Sequence, residues 1–248
     1  MRIIDAHTHL GTSRVTAINP TEEGWLKTMK RYGIDGIFSF PLPEPYPDSK
    51  TVHDRIYRFT QDYPGKVWGV IDMNPRHDEE EYVAEVTRCV KELGFLAVKL
   101  HPYLESTKPQ GPQAVKVYET ARKLDIPVIV HTGMGVPLAL PSLMIPIAQQ
   151  YPDIPFVLAH AGGGMYFDEA LIAARLCDNI FLDMSTTSVF SLKSGLASIG
   201  ASKMMFGSDG EINVGPELAK VEALDLPGDV AEQYLSKTAI DLYKMKVQ

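Results

Sequence analysis

FLAVKLHPYLESTKPQGPQAVKVYETARKLDIPVIVH, residues 95 to 131, holds the pattern that decides the fold. Phe95 to Leu100 is a short, largely apolar run, Pro112 to Leu124 repeats its apolar positions at helical spacing, and Pro127 to Val130 is apolar again before His131. Strands exposed on one face alternate polar and apolar residues, whereas these runs are largely apolar, as in strands buried on both faces. An amphipathic helix between two such runs is the sequence of parallel strands joined by a crossover.

Working outward, eight runs of this kind recur: Ile3 to Ala6, Gly36 to Phe40, Val67 to Met73, Phe95 to Leu100, Pro127 to Val130, Phe156 to Ala159, Ile180 to Met184 and Lys203 to Phe206. Amphipathic stretches such as Thr21 to Tyr32, Glu79 to Leu93 and Phe167 to Cys177 separate them, and Asp229 to Met245 reads as a closing helix. Thr21, followed by Glu22 and Glu23, supplies a side-chain cap and the acidic first turn that a helix dipole favours. The alternation predicts an α/β protein, a (β/α)8 TIM-type barrel forming one domain over residues 1–248, since such barrels run to about 250 residues. Prolines 41, 43, 45 and 47 stiffen the loop after the second run, either as a pocket wall or as a rigid surface connection.

The 248 residues are 45% hydrophobic and 22% charged, the balance of a globular chain with a sizeable core. A net charge of -7 without a dense Lys/Arg run argues against nucleic acid as a partner. No apolar stretch approaches the roughly 20 residues that span a bilayer, and Met1 leads straight into a strand-like run, so a cytoplasmic protein is expected. Cys89 and Cys177 lie far apart in helix-like segments, which excludes a CxxC pair and marks both as buried apolar fillers.

Five of the seven histidines, His7, His9, His101, His131 and His160, stand at or just past the carboxyl end of a run. In a (β/α)8 barrel those ends converge on one mouth. On a strand, residues two apart share a side, so the imidazoles of His7 and His9 can reach one ion. His131, His160 and Asp209 each follow a further run, and imidazoles plus a carboxylate on a rigid frame are what a catalytic divalent metal requires. Zinc suits this chemistry best, with manganese, iron or nickel as alternatives. Lys99 and His101 are again two apart: either they face the mouth, where Lys99 can hold a substrate carboxylate or phosphate, or they are satisfied inside the fold. Gly162, Gly163 and Gly164 form either an anion-binding loop or a tight turn. Arg14, Tyr103 and Glu211 fall in mouth loops.

The pattern Asp5-Ala6-His7-Thr8-His9, Val98-Lys99-Leu100-His101-Pro102, His131-Thr132-Gly133, His160-Ala161-Gly162-Gly163 and Phe206-Gly207-Ser208-Asp209 resembles the amidohydrolase superfamily. It is similar in particular to the branch of metal-dependent hydrolases and non-oxidative decarboxylases of aromatic and related acids. The resemblance implies that His7, His9, His131 and Asp209 bind one divalent metal, that Asp209 also carries a proton, and that His160 orients or protonates substrate. Substrate-binding candidates are Lys99, His101, Tyr103 and Arg14. It implies hydrolysis of a small amide, ester or lactone, with decarboxylation of a small carboxylic acid as the alternative. A metal-dependent nuclease or a non-catalytic metal-binding barrel ranks behind both. A small-molecule substrate and a homodimer or higher homo-oligomer complete the expectation.

Overall fold

The structure, a computed structural model, describes residues 1–13, 18–42 and 48–245. The strands are β1 (Ile4–Leu10), β2 (Gly36–Pro41), β3 (Val67–Gly69), β4 (Ile71–Asp72), β5 (Val98–Leu100), β6 (Val128–His131), β7 (Phe156–Ala159), β8 (Ile180–Asp183) and β9 (Met204–Met205). All pair in parallel, in the orders β1-β2-β3 and β4 through β9. β3 and β4 are two pieces of one stave: Val70 N–H turns back to Ser39 O at 3.0 Å, and Ile71 N–H turns forward to Ala97 O at 2.9 Å. Ala6 N–H then donates to Phe206 O at 3.0 Å and closes the ring. The result is the expected barrel of eight staves.

Several edges differ from the sequence reading. β1 runs to Leu10 rather than Ala6, so His7 and His9 lie inside a strand instead of past its end. Its register against β2 shifts between Asp5 and Thr8, and the Asp5 carboxylate accepts the N–H of His7 at 3.2 Å. The fourth and eighth staves are shorter than expected, because Phe95 N–H is still tied to Cys89 O and Ala201–Lys203 forms a 3-10 turn.

The helices are α1 (Glu22–Tyr32), α2 (Ser49–Asp62), α3 (Glu79–Lys91), α4 (Pro112–Leu124), α5 (Ile145–Gln150), α6 (Phe167–Leu176), α7 (Val189–Ile199), α8 (Val214–Leu224), α9 (Gly228–Glu232) and α10 (Thr238–Leu242). The expected cap on α1 forms, with Thr21 accepting from Gly24 N–H at 3.1 Å. The closing helix ends at Leu242, short of Met245, and a π-helical turn over Gln233–Lys237 interrupts it. That turn frees Tyr234 O to accept the N–H of Phe206 at 3.1 Å, which anchors the last stave. Inside the ring, Ile4, Phe38, Val70, Ile129 and Met205 form an inner core plugged by Tyr243, whose ring centroid is 4.5 Å from that of Phe38. A larger core lies between sheet and helices. Each large apolar side chain fully buried in these layers contributes roughly 1.5–3 kcal/mol. Among the described residues no helix is long and apolar enough to cross a membrane. Prolines 43, 45 and 47 lie outside the described residues.

Cys89 corrects the sequence reading: it is buried but not an apolar filler. Its Sγ lies 3.3 Å from His53 Nδ1 and 3.4 Å from Glu85 Oε1. His53 Nε2 accepts the N–H of Asp72 at 3.2 Å, so Nδ1 carries the ring proton and donates it to Glu85 at 2.9 Å. Glu85 is gripped by both ends of Arg88, which also reaches Asp54 at 2.8 Å. Burial alone would raise the Glu85 carboxyl, but His53 and Arg88 pull it down to about 2. The atoms of His53, Glu85 and Cys89 are close enough to surround an ion. The proton on Nδ1, the Arg88 grip and a thiol that burial pushes upward make the cluster a strut joining α2, α3 and β4 instead. His53→Ala removes one donor from the buried Glu85 while Arg88 and Cys89 keep theirs, and is expected to cost about 2 kcal/mol in urea unfolding, with metal content unchanged.

Candidate metal centre

At the carboxyl end of the barrel, one carboxylate oxygen gathers three imidazoles. Asp209 Oδ1 lies 3.2 Å from His9 Nε2, 3.5 Å from His7 Nε2 and 4.0 Å from His160 Nε2. Closure of the ring produces this arrangement, since β1 and the end of the last stave are neighbours and Asp209 N–H donates to His7 O at 2.7 Å. Asp209 and His160 both take left-handed backbone conformations, φ 66° and 63°. Such strain in non-glycine residues concentrates at functional sites.

The far ring nitrogens fix which nitrogen carries the proton. His9 Nδ1 lies 3.1 Å from Pro41 O, and a carbonyl only accepts, so Nδ1 carries a proton, while Nε2 faces the Asp209 carboxylate at 3.2 Å, an oxygen that also accepts unless a cation stands between them. His7 Nδ1 lies 2.6 Å from Asp183 Oδ2. Burial would raise the Asp183 carboxyl, but the charge and hydrogen bond of His7 hold it well below the usual range, so the carboxylate accepts and His7 Nε2 keeps its lone pair, with Lys99 Nζ 3.4 Å away. Burial, reinforced by the Lys99 ammonium, lowers His7 to about 4, and burial likewise lowers His160 to about 4. Both rings are neutral near pH 7. Burial would raise Asp209, but His160, His9 and His7 keep it ionised.

His131, at the end of β6, stands apart from this trio. Its Nε2 lies 2.8 Å from Met134 O and therefore donates, which leaves Nδ1 as the nitrogen with a lone pair. Its ring stacks on His101 at 3.9 Å and meets His160 edge-on at 4.9 Å. His101 Nδ1 accepts from Leu104 N–H at 3.4 Å, and His101 N–H donates to Glu105 at 2.9 Å. Lys99 is fully buried, with Nζ 3.4 Å from His7 Nε2 and over the Phe40 ring. Burial lowers its pKa against the pull of Asp209 and Asp183. Tyr103 is exposed, its Cβ against Gly135. Arg14 lies outside the described residues.

Two mouth features resolve differently. Gly162 N–H is spent on Thr132 Oγ1 at 2.9 Å and Gly163 N–H on His160 O at 2.7 Å, so the glycine run is a tight turn rather than an anion cradle. Gly133 faces it so closely that an added Cβ would sit 2.6 Å from Gly162. Glu211 sits at the start of α1, against Gly24 and the N–H of Thr21, and serves that helix.

The sequence reading missed Asp183, Ser185, Asp72 and Glu105. Asp183 ends an otherwise apolar strand, and that lone carboxylate was the available signal. Asp72 and Glu105 are buried near Lys99. Burial pushes Asp72 up to about 6, and burial with repulsion from Asp72 pushes Glu105 well above its ordinary value.

The donor set fits a divalent ion: with their Nδ1 atoms committed to Asp183 and Pro41 O, His7 and His9 turn Nε2 toward an ionised carboxylate, at separations near those of ligands around one centre with bonds of roughly 2.0–2.2 Å. His7, His160 and Asp209 form one of the clusters close enough to share an ion.

Gly207 keeps this wall thin, since a Cβ there would lie 2.4 Å from Asp183 Oδ1 and 2.9 Å from His7 Cβ. Gly207→Ala is expected to push the two apart and weaken zinc binding about tenfold or more in a chelator competition. A second expectation concerns pH. Burial raises Asp5 and Glu217 to about 7 and Asp72 to about 6, so the folded state holds protons that the unfolded chain has released. Their stabilisation is present in acid and lost as pH rises through 6–7. His7 and His160, lowered from 6.5 to about 4, act in the opposite sense but only below pH 6.5. The melting temperature of metal-free protein should therefore fall between pH 6.5 and 8, and Asp5→Asn should flatten that fall. A flat wild-type profile would contradict this.

A family model described as Amidohydrolase matches residues 4–245. The structure of 2,6-dihydroxybenzoate decarboxylase from Rhizobium superposes with a TM-score of 0.80 at 14% identity, covering 98% of this chain and 99% of that one. That of 5-carboxyvanillate decarboxylase from Novosphingobium aromaticivorans, complexed with manganese, gives 0.80 at 15% identity over 98% and 96%. A putative 2-pyrone-4,6-dicarboxylic acid hydrolase from Pseudomonas putida gives 0.75 at 18% identity over 100% and 99%. At these identities the likeness is one of fold.

Proposed function

The chain belongs to the amidohydrolase family and is an enzyme of it, and from that premise we propose that it hydrolyses a small amide, ester or lactone with the aid of one divalent metal. The observation that carries this reading is the ionised Asp209 carboxylate, one-third exposed at the mouth and set among the Nε2 atoms of His9, His7 and His160. His7, His9 and Asp209 would hold the ion, zinc by ligand chemistry, with manganese, iron or nickel as alternatives. The Nδ1 lone pair of His131 is the fourth donor that the family resemblance implies, although its ring stands apart from theirs. When bound, such an ion supplies Lewis acidity that can lower the pKa of water from 15.7 to about 7.

The chain's own groups account for the rest. Asp209 takes the proton of the attacking water at a carboxylate oxygen and returns it to the leaving group. His160, with a free Nε2 facing the same space, orients the substrate. Lys99 gives a buried cation beside His7, suited to a carboxylate or another anionic oxygen on the substrate. Tyr103, Met134, Val136, Met165, Phe190 and Ile212 are large exposed apolar residues in segments that follow strand ends, and they favour an apolar substrate body.

One observation favours a second reading, non-oxidative decarboxylation. The same Lys99 suits a substrate carboxylate that is itself lost, and two of the solved structures similar in fold are decarboxylases of hydroxybenzoate-type acids. A panel of lactones, esters and amides run beside hydroxybenzoate-type acids separates the two. Hydrolysis of a panel member with one metal ion per chain, reduced about 10²–10⁴-fold in kcat by Asp209→Asn, is the expected result. Carbon dioxide release with no hydrolysis would overturn it in favour of the second reading. A protein without stoichiometric metal, unaltered by His9→Ala, would overturn both.

A further inference from the structure

Asp183, at the end of β8, is fully buried, and every hydrogen bond it accepts comes from the site wall. Its Oδ2 faces His7 Nδ1 at 2.6 Å, accepts the hydroxyl of Ser185 at 2.9 Å and accepts the N–H of His160 at 3.3 Å. Its Oδ1 accepts the N–H of Ser185 at 3.0 Å. Ser185 Oγ also lies 2.9 Å from His160 Nδ1. A hydroxyl has one proton. Donated to Asp183, it leaves the oxygen able only to accept, so His160 must carry its proton on Nδ1 and keep the Nε2 lone pair toward Asp209.

We infer that Asp183 and Ser185 are a paired positioning device, in which one carboxylate sets the protonated nitrogen of His7 directly and that of His160 through the Ser185 hydroxyl. The hydroxyl is held in place from behind. Thr186 has a left-handed φ of 59°, its N–H donates to Glu217 at 2.9 Å, and Lys220 Nζ donates to Met184 O at 3.3 Å and Thr187 O at 2.9 Å. Glu217 and Lys220 pair with each other on α8, so the loop bearing Ser185 is clamped on the side away from the mouth. If the Ser185 hydroxyl is removed, the remaining neighbour of His160 Nδ1 is Thr186 Oγ1 at 3.5 Å. That hydroxyl can donate, which would move the ring proton to Nε2 and aim an N–H rather than a lone pair at Asp209.

The role given to the two histidines rests on the metal-dependent reading, but the tautomer is readable without metal or substrate. In metal-free protein labelled with 15N-histidine, long-range 1H–15N correlations, assigned by the signal lost in His160→Gln, should show His160 protonated at Nδ1. In Ser185→Ala the majority form should be protonated at Nε2, a change that a purely packing role for Ser185 would not produce. Zinc affinity by chelator competition should fall about 10–100-fold in Asp183→Asn and less than threefold in Ser185→Ala. A wild-type His160 protonated at Nε2, a tautomer unmoved by Ser185→Ala, or equal zinc losses in the two variants would each overturn the inference. A wild-type chain that binds no zinc while showing the expected tautomers would sink the hydrolase reading and leave this one standing.

Discussion

Closure of the ring between the first and last staves is the constraint on which the rest depends. The Ala6 to Phe206 hydrogen bond sets β1 beside a strand some 200 residues away, and two further contacts continue the seam: Asp5 accepts the N–H of Ser208 at 2.9 Å, and His7 O accepts the N–H of Asp209. Only with that seam made do His7 and His9 face Asp209. The seam must also be thin, which is why Gly207 stands where any side chain would strike Asp183. Backbone pairing, a missing Cβ and a buried carboxyl thus act together, and a barrel left open at this edge would retain its staves but lose the site.

Much of this was legible in the sequence, because the relevant signals are local. Runs such as Phe156 to Ala159 are apolar enough to require cover on both faces, and the amphipathic stretches between runs supply it. Histidines at the run ends then share one mouth by topology alone. The finer departures have equally local causes that composition does not carry. The register shift between Asp5 and Thr8 and the π turn at Gln233–Lys237 each reroute one or two hydrogen bonds without altering hydrophobic pattern, and Cys89 looks apolar until His53 arrives from another helix.

The groups that were not legible are those whose meaning is purely spatial. Asp183 meets His7 across 176 positions of sequence, and Ser185 meets His160 across 25. Asp183 stands out only as a lone carboxylate closing an apolar run, with no hint that it meets His7, and nothing near Ser185 distinguishes it from a loop serine facing water. The histidines, by contrast, are rare and recur at equivalent places, so their pattern survives without coordinates. Sequence therefore exposed the groups that face the mouth better than the groups that hold them.

The buried carboxyls show how far environment separates identical side chains. Asp183 stays ionised because His7 and the donors of Ser185 and His160 point at its oxygens, and Asp209 because His160, His9 and His7 surround it; in both places this outweighs the cost of burial. Asp5, Asp72 and Glu105 are as deeply buried, but the donors and charges facing them do not offset that cost, so burial drives them toward the neutral acid. The division keeps negative charge on Asp209 at the mouth and on Asp183 behind His7, and withholds it from Asp5, Asp72 and Glu105. Lys99 sits at the boundary between the two groups, drawn by Asp209 and Asp183 on one side and by Asp72 and Glu105 on the other, with its Nζ against the lone pair of His7. A divalent ion at His7 would compete for that lone pair, so metal and ammonium cannot both keep this contact. The charge of Lys99 would then be met by the acidic pair or by an anion entering the mouth, so that occupancy of the proposed metal site would bear on the class of molecule the mouth accepts.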